Sequence, residues 1–263
     1  MKTYRSPHAF FLLFFVLGAC FVAAPRHVYA ALYNASGLLG QTTYTQALAT
    51  STAQGLDFPV GTALDSVNHR LFVADVLNNR VLIYNLDTEN NIATTTASYV
   101  LGQTNFTSNT ATTIQDGLYW PIMPQYDPIN QRLFVLEFKN SRVLVFNVAP
   151  STITNGENAS YVLGQANFVS SVATSTQSGL DYPDGLDYDP STGRLFLDDE
   201  LNHRVLVFNA APSSITNDAN ARYVLGQTNF TSYLPATTQS GLISPDGGQG
   251  YDPINEQIGR AHV

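Results

Sequence analysis

Cysteine is almost absent from this sequence, since Cys20 is the single one among 263 residues. It lies in an apolar N-terminal run, so a chain that begins after this run contains none. A disulfide needs two thiols, and structural zinc sites are most often built from several thiolates. The sequence therefore excludes a disulfide framework and a thiolate metal site in the mature chain.

Basic residues are scarce as well, because 12 Lys and Arg stand against 20 Asp and Glu. The predicted leader described below contains Lys2, Arg5 and Arg26 and no acidic residue, so its removal changes the formal charge from −8 to −11. Nucleic acids are bound through basic faces that neutralise phosphates. No Lys or Arg cluster is present in the sequence, and we predict no nucleic-acid partner.

The N-terminus has the pattern of an export signal. Lys2 and Arg5 precede an apolar run at residues 9–24, and Val28-Tyr29-Ala30 then places small residues at the positions that a signal peptidase recognises. This run is shorter than the roughly 20 residues that a membrane-spanning helix requires. We predict that residues 1–30 are a signal peptide and that the mature chain is secreted or lies at the cell surface, without inserting into the membrane.

A lipoprotein leader is the alternative interpretation of the same segment. Leu17-Gly18-Ala19-Cys20 resembles the lipobox of bacterial lipoproteins, in which the cysteine becomes a lipidated N-terminus. The residues that follow Cys20 are apolar, whereas a lipidated tether is expected to be polar and flexible. Free secretion is thus the first prediction, and a lipid anchor at Cys20 is the second.

The last six residues are predicted not to belong to the natural protein. Residues 258–263 can be back-translated into a common sequencing-adapter sequence, and we predict that they are a non-native tail. Arg260 and His262 are therefore not considered as functional residues. The predicted domain is residues 31–257.

A fixed step of 62 residues runs through this domain. Several markers keep the step, and each set recurs at the same place in the unit. The sets are Gln41, Gln103, Gln165 and Gln227; Gly55, Gly117, Gly179 and Gly241; Leu71, Leu133 and Leu195; and Arg80, Arg142 and Arg204. Independent markers that share one period indicate a repeat protein.

Within each unit, apolar residues alternate with the two-residue period of β-strands. In the first full unit we predict strands at 61–65, 70–75, 80–86 and 98–103. Ser36–Gln41 matches the fourth strand of a preceding unit, and Asp184-Gly185 is interpreted as a turn. No stretch has a convincing helical period, so the predicted fold class is all-β.

The repeated residues resemble NHL repeats. Pro59–Asp65, Leu71–Asp75 and Asn79–Tyr84 carry the motif, which returns one and two steps later and covers nearly all of residues 32–257. The resemblance implies a β-propeller of four-stranded antiparallel blades, and the export signal with its lipobox-like segment suggests a secreted bacterial protein. About three full blades and two partial ones fit the sequence, so we expect an incomplete ring, truncated from a longer parent chain. The motif is specific for fold and nearly silent on function.

An acidic residue precedes each repeated arginine by five positions. The pairs are Asp75 with Arg80, Glu137 with Arg142, and Asp199 with Arg204. We interpret them as structural pairs, because residues present in every unit most simply serve the unit and because Arg can bind a carboxylate across a tight turn. The alternative is a ring of metal ligands, as in calcium-dependent lactonase propellers. The adjacent arginines argue against it, since they supply the charge that a cation would provide.

Residues that depart from the repeat are the better candidates for a binding site. Trp120 directly precedes a predicted first strand, whereas Phe138, Lys139 and His203 lie in turns between second and third strands. In propellers, these turns and the connections that enter the next blade share one face. Aromatic residues beside a lone lysine suit a peptide or a sugar. We predict that these four residues bind a partner.

No catalytic constellation is apparent in the sequence. His69 and His203 are predicted on opposite rims, and no nucleophile elbow, zincin motif or phosphate loop is present. We therefore predict a non-catalytic, exported scaffold that binds protein or carbohydrate, with no catalytic residue, cofactor or metal. The alternatives are a metal-dependent hydrolase or lyase, similar to lactonase or amidating-lyase propellers, and an architectural surface-layer component.

Overall fold

The computed structural model describes residues 35–245, together with the backbone of residues 249–252 and 257–260. These residues form three four-stranded antiparallel sheets, here called blades 1, 2 and 3, and one two-stranded hairpin. Blade 1 contains β1 (Pro59–Asp65), β2 (Arg70–Asp75), β3 (Arg80–Asn85) and β4 (Tyr99–Leu101). Blade 2 contains β5 (Pro121–Asp127), β6 (Arg132–Glu137), β7 (Arg142–Asn147) and β8 (Tyr161–Leu163). Blade 3 contains β9 (Pro183–Asp189), β10 (Arg194–Asp199), β11 (Arg204–Asn209) and β12 (Tyr223–Leu225), and the hairpin contains β13 (Gln249–Asp252) and β14 (Gln257–Arg260).

The strands of each blade pair in sequence order, with one register shared by all three blades. Asp75 lies opposite Arg80, Glu137 opposite Arg142, and Asp199 opposite Arg204. One-turn 3-10 helices at Val76–Asn78 and Glu200–Asn202 connect the second and third strands of blades 1 and 3. The predicted strands of the first unit agree with β1 to β4 within three residues at each end.

The blades are stabilised by packing on each other. Phe72 and Ile83 of blade 1 share a buried cluster with Leu133 and Val135 of blade 2, and a second cluster joins blades 2 and 3. Blade 2 is covered in this way on both of its faces, which explains the nearly continuous apolar runs of its central strands β6 and β7. The first strands β1, β5 and β9 are neighbours at the inner side. The predicted class is confirmed: the chain is an all-β, incomplete β-propeller.

The loops between the third and fourth strands of blades 2 and 3 bind the preceding blade. In blade 2, the connection between β7 and β8 reaches back to blade 1, where Val100 N donates to Asn155 Oδ1 (3.0 Å) and Gly156 N donates to the Val100 carbonyl (3.1 Å). Asn217 and Asp218 of blade 3 bind Val162 in the same manner, at 3.0 and 3.1 Å. Each loop therefore satisfies the outer edge of the preceding sheet, where unpaired strand groups would invite aggregation.

Two local predictions are wrong. Ser36–Gln41 does not form a strand, because the strand on which it would pair is missing from the described residues; only Gly40 forms a bridge, with Gly55. Asp184-Gly185 lies inside β9 and not in a turn, next to a register shift opposite Asp198 and Asp199.

The chain ends lie partly or wholly outside the described residues. The predicted signal peptide, residues 1–30 with Cys20, is outside them. Three residues of the predicted non-native tail, 258–260, belong to β14 and pair with residues 249–251. Their origin remains a prediction. Within the described ranges, no helix is long and apolar enough to cross a membrane.

Candidate functional site

The repeated acid and arginine form a closed network inside each blade. Arg80 is fully buried, and its Nε donates to Asp75 Oδ2 at 2.7 Å. Its terminal nitrogens donate to the carbonyls of Thr52, Gly55 and Phe106. The other Asp75 oxygen accepts from the backbone N–H of Asp57 at 2.6 Å. The arginine thus ties the turn to two loops, and it contacts the carboxylate through one nitrogen and not through a bidentate fork.

The same network recurs in blades 2 and 3. Arg142 Nε contacts Glu137, and Arg204 Nε contacts Asp199 at 2.6 Å, with both ion pairs fully buried. Burial raises the pKa of Asp199 to about 6, while the charge of Arg204 acts in the opposite direction. Burial likewise raises the pKa of Asp75 and of Glu137. Because N–H donors already surround these carboxylates, they serve the fold and are poorly placed to bind a metal ion.

A second set of buried pairs lies at the opposite rim, and it was not singled out from the sequence. Arg70 binds Asp65 Oδ2 through Nε (3.1 Å) and Nη2 (2.6 Å), and its Nη1 donates to the Val148 carbonyl of the next blade at 2.6 Å. Arg132 binds Asp127 in the same way, at 3.1 and 2.7 Å. The sequence did contain a signal for these pairs, because an aspartate is followed by an arginine after five residues and the pattern returns at the 62-residue step.

The residues that enter the first strands have an unusual backbone. Phe58, Trp120, Tyr182 and Ser244 have φ angles of 57°, 51°, 49° and 39°, and a proline follows each of them. Bulky residues rarely adopt this left-handed conformation, and strained residues of this kind are frequent at binding sites. The Trp120 N–H donates to Asn79 Oδ1 at 3.1 Å, and the Tyr182 N–H donates to Ser141 Oγ at 3.2 Å. The preceding blade therefore holds Trp120 and Tyr182 in place.

Three of the four predicted binding residues lie together on this face. The Lys139 ammonium nitrogen lies 4.7 Å from the ring centroid of Trp120, 5.3 Å from that of Phe138 and 5.2 Å from that of Tyr182. The Trp120 and Phe138 rings are stacked, and the Phe138 and Tyr182 rings meet edge to face. We call Trp120, Phe138 and Tyr182 the aromatic cage. Tyr182 is not among the predicted residues, because it occupies a position of the repeat that is also aromatic at Phe58.

A cleft of about 740 Å³ opens beside the aromatic cage. All three blades contribute to it: Phe58 and Leu77 belong to the blade 1 unit, Trp120 and Phe138 to blade 2, and Asp184 and Glu200 to blade 3. Its wall is mainly apolar, with the two carboxylates on the blade 3 side. A largely apolar concavity with a few polar groups is the usual form of a ligand site.

His203, the fourth predicted binding residue, has a different place. Its Nδ1 accepts a hydrogen bond from the Ser244 N–H at 3.0 Å. This contact is equivalent to those of Asn79 and Ser141 with the aromatic residues one blade further on. In the described part of the chain, no hydrogen bond or ring contact joins His203 to the aromatic cage. The histidine ring instead joins blade 3 to the connection that follows it.

The two histidines of the described domain are separated by topology. His69 lies between β1 and β2, whereas His203 lies between β10 and β11, at the other end of the blade strands. His69 Nδ1 is 2.9 Å from Asn90 Oδ1. Over residues 35–245, no group of three or more His, Cys, Asp or Glu side chains is arranged to hold a metal ion.

Comparisons with known proteins support the fold. No family model and no curated protein matches the chain. Among solved structures, an auxiliary nutrient-binding protein from Bacteroides ovatus aligns with a TM-score of 0.51 and 11% identity, over 79% of this chain and 47% of that one. A Bacteroides uniformis protein with the provisional name 6-phosphogluconolactonase aligns with a TM-score of 0.50 and 10% identity, over 80% and 50%.

These similarities define the class of the protein, which is a propeller-type fold. At such low identity they carry no information about ligand or reaction. The chain spans about half the length of the solved structures that it matches.

Proposed function

We propose that this chain is part of an exported bacterial propeller of the NHL type, and that it is a non-catalytic scaffold that binds a protein or carbohydrate partner. The observation that carries the proposal is the apolar cleft beside the aromatic cage, where Trp120 and Phe138 line the wall and the Lys139 ammonium lies 4.7 Å from the Trp120 ring centroid. Aromatic residues with a nearby cation are favoured at recognition sites, because they bury a large area at low entropic cost.

Two further features support a binding role outside the cytoplasm. The leader at residues 1–30 has the pattern of an export signal, and the excess of acidic residues keeps such a chain soluble. One of the structural neighbours is named as a nutrient-binding protein. The Asp and Arg side chains of the networks already bind partners inside the blades. The cleft is therefore the surface that we assign to ligand binding.

The test uses the mature chain on glycan and peptide arrays, followed by calorimetric titration of each ligand that binds. The matched variant is Trp120→Ser, because serine occupies the equivalent position, Ser244, one unit after Tyr182. We expect it to weaken binding by at least about tenfold. Arg222→Ala, at an exposed residue on blade 3, is the control and is expected to leave binding unchanged. The absence of any array ligand, or equal affinity in Trp120→Ser, would contradict the proposal.

A metal-dependent hydrolase or lyase is the second candidate. Asp184 and Glu200 in the cleft favour it, since carboxylates bind divalent cations. Metal analysis of the purified chain distinguishes the two candidates. A stoichiometric ion that is lost in Asp184→Asn would support the enzyme, whereas less than a tenth of an equivalent of metal would support the scaffold.

A further inference from the structure

Among the three described blades, only the turn of blade 2 places a cation among aromatic rings, and one of these rings, Tyr182, comes from the connection that enters blade 3. Three ring centroids lie within 5.3 Å of the Lys139 nitrogen. The equivalent positions in the other blades carry Leu77 and Leu201, so their turns have no cation. Among the described residues, no ion pair of Lys139 with a carboxylate is found, and the rings are the partners of its ammonium group. A cation above several ring faces is the geometry of ammonium recognition.

The position of the cage connects it to the cleft. Trp120 and Phe138 contribute both to the cage and to the cleft wall, so a group held in the cage can extend into the cleft. Lys139 itself is half-buried and reaches the rings through a flexible four-carbon chain. It can therefore leave the cage by side-chain rotation, without any movement of the sheet.

We propose that the aromatic cage is a binding site for the substituted ammonium group of a ligand, and that Lys139 is an internal competitor that occupies the site in this structure. A primary ammonium such as that of lysine is strongly hydrated, so placing it among rings carries a large desolvation cost. A quaternary ammonium is larger and less strongly hydrated, and it is the group for which aromatic cages are best suited. This inference rests on the proposed function and specifies the chemistry of its ligand.

The first experiment measures the binding of choline to the mature wild-type chain and to Lys139→Ala. Fluorescence of Trp120 reports binding directly, because it is the single tryptophan in the sequence and a wall of the cage. Removal of the competing ammonium is expected to tighten choline binding by about tenfold or more. Lys139→Leu, which places the residue of both other blades at this position, verifies that the effect does not come from a damaged fold.

The second experiment tests whether charge is what the cage recognises. In Lys139→Ala, 3,3-dimethylbutan-1-ol, which has the shape of choline without its charge, is expected to bind at least about tenfold more weakly than choline. Adding Phe138→Val, which introduces the residue found at Val76 in blade 1, is expected to return choline binding to the wild-type level. A trimethyllysine peptide tested beside choline shows whether a peptide or a small molecule is the better source of the ammonium group.

The outcomes are decisive in both directions. Choline binding that is no tighter in Lys139→Ala than in wild type, or equal binding of the neutral alcohol, overturns the cage assignment. If that occurs while array ligands still bind wild type and lose affinity in Trp120→Ser, the proposed function stands without this ammonium site. If neither choline nor any array ligand binds, both proposals fail.

Discussion

Blades 2 and 3 contain the same outer-strand sequence, Tyr-Val-Leu, in very different surroundings. In blade 2, Leu163 is fully buried because blade 3 covers it, whereas Leu225 of blade 3 is 42% exposed. Tyr223 is likewise 52% exposed, although Tyr161 is largely covered. Intrinsic strand propensity is identical in the two blades. The difference shows that a blade acquires much of its apolar burial from its neighbour.

The burial of the acid and arginine networks, in contrast, does not depend on the neighbouring blade. Arg142 in the central blade and Arg204 in the outer blade are both fully buried, and each contacts its acid and three backbone carbonyls. All of these partners belong to the turn and the loops of the same unit. We infer that the networks stabilise each blade through contacts inside its own unit. The apolar faces instead stabilise a blade through packing against its neighbour.

The largest expected effect comes from breaking a network. Arg142→Ala and Arg204→Ala each leave a buried carboxylate without its counter-charge, which costs about 3–5 kcal/mol of unfolding free energy. Because the networks are internal to a blade, we expect similar losses in the two variants, measured by urea unfolding. Arg222→Ala is the surface control, with a change of about 0.5 kcal/mol or less. A clearly smaller loss in Arg204→Ala would show that the network also depends on the neighbouring blade.

A smaller and unequal effect is expected from the apolar faces. Leu163→Ala creates a cavity between blades 2 and 3 and should lower the unfolding free energy by about 2–5 kcal/mol. Leu225→Ala removes a side chain that is partly in water, and its cost should be about 1 kcal/mol or less. Leu101→Ala, which is covered by blade 2, should resemble Leu163→Ala. Equal costs for all three leucines would contradict the neighbour dependence of the faces.

The smallest effect concerns pH and compares two carboxylates of blade 3. Burial raises the pKa of Asp199 to about 6, so the folded chain takes up this proton more readily than the unfolded chain. Its contribution to stability is therefore fully present below the unfolded pKa, near 4, and is lost as the pH rises towards 6. For Asp189, burial acts to raise the pKa, but hydrogen bonds from Ser191 and Thr192 outweigh it and lower the pKa. The contribution of Asp189 is lost instead as the pH falls through its folded pKa.

Carboxyl carbon NMR with labelled aspartate measures both titrations directly. We expect Asp199 to titrate well above Asp189, and Asp199→Asn and Asp189→Asn provide the two assignments. A titration of Asp199 below pH 4 would mean that Arg204 compensates burial completely.

The 62-residue step made most of the fold predictable from the sequence. The strands alternate with a period of two, and the turn residues recur at the same places, so the blade boundaries followed from local chemistry. The contact of the loops at Asn155 and Asn217 with the preceding sheet was not predicted from the sequence. That contact joins residues 55 positions apart and depends on how far each blade is rotated relative to the next.

The candidate site was only partly predictable. Trp120, Phe138 and Lys139 were found because they depart from the repeat. Tyr182 was overlooked because it conforms to the repeat, and His203 was grouped with the others although its ring is used to hold Ser244. A search for departures from the repeat finds Lys139 but cannot find Tyr182, which follows the repeat and nevertheless contacts Lys139.

The sequence by itself determined the four-stranded unit, its period and the acid and arginine that close each turn, because these depend on contacts within about 60 residues of chain. Only the tertiary structure decided which faces are buried and which aromatic rings surround Lys139. Those features arise where one blade meets the next, and the distance and rotation between neighbouring sheets are set by the packing of entire faces and by no single local pattern.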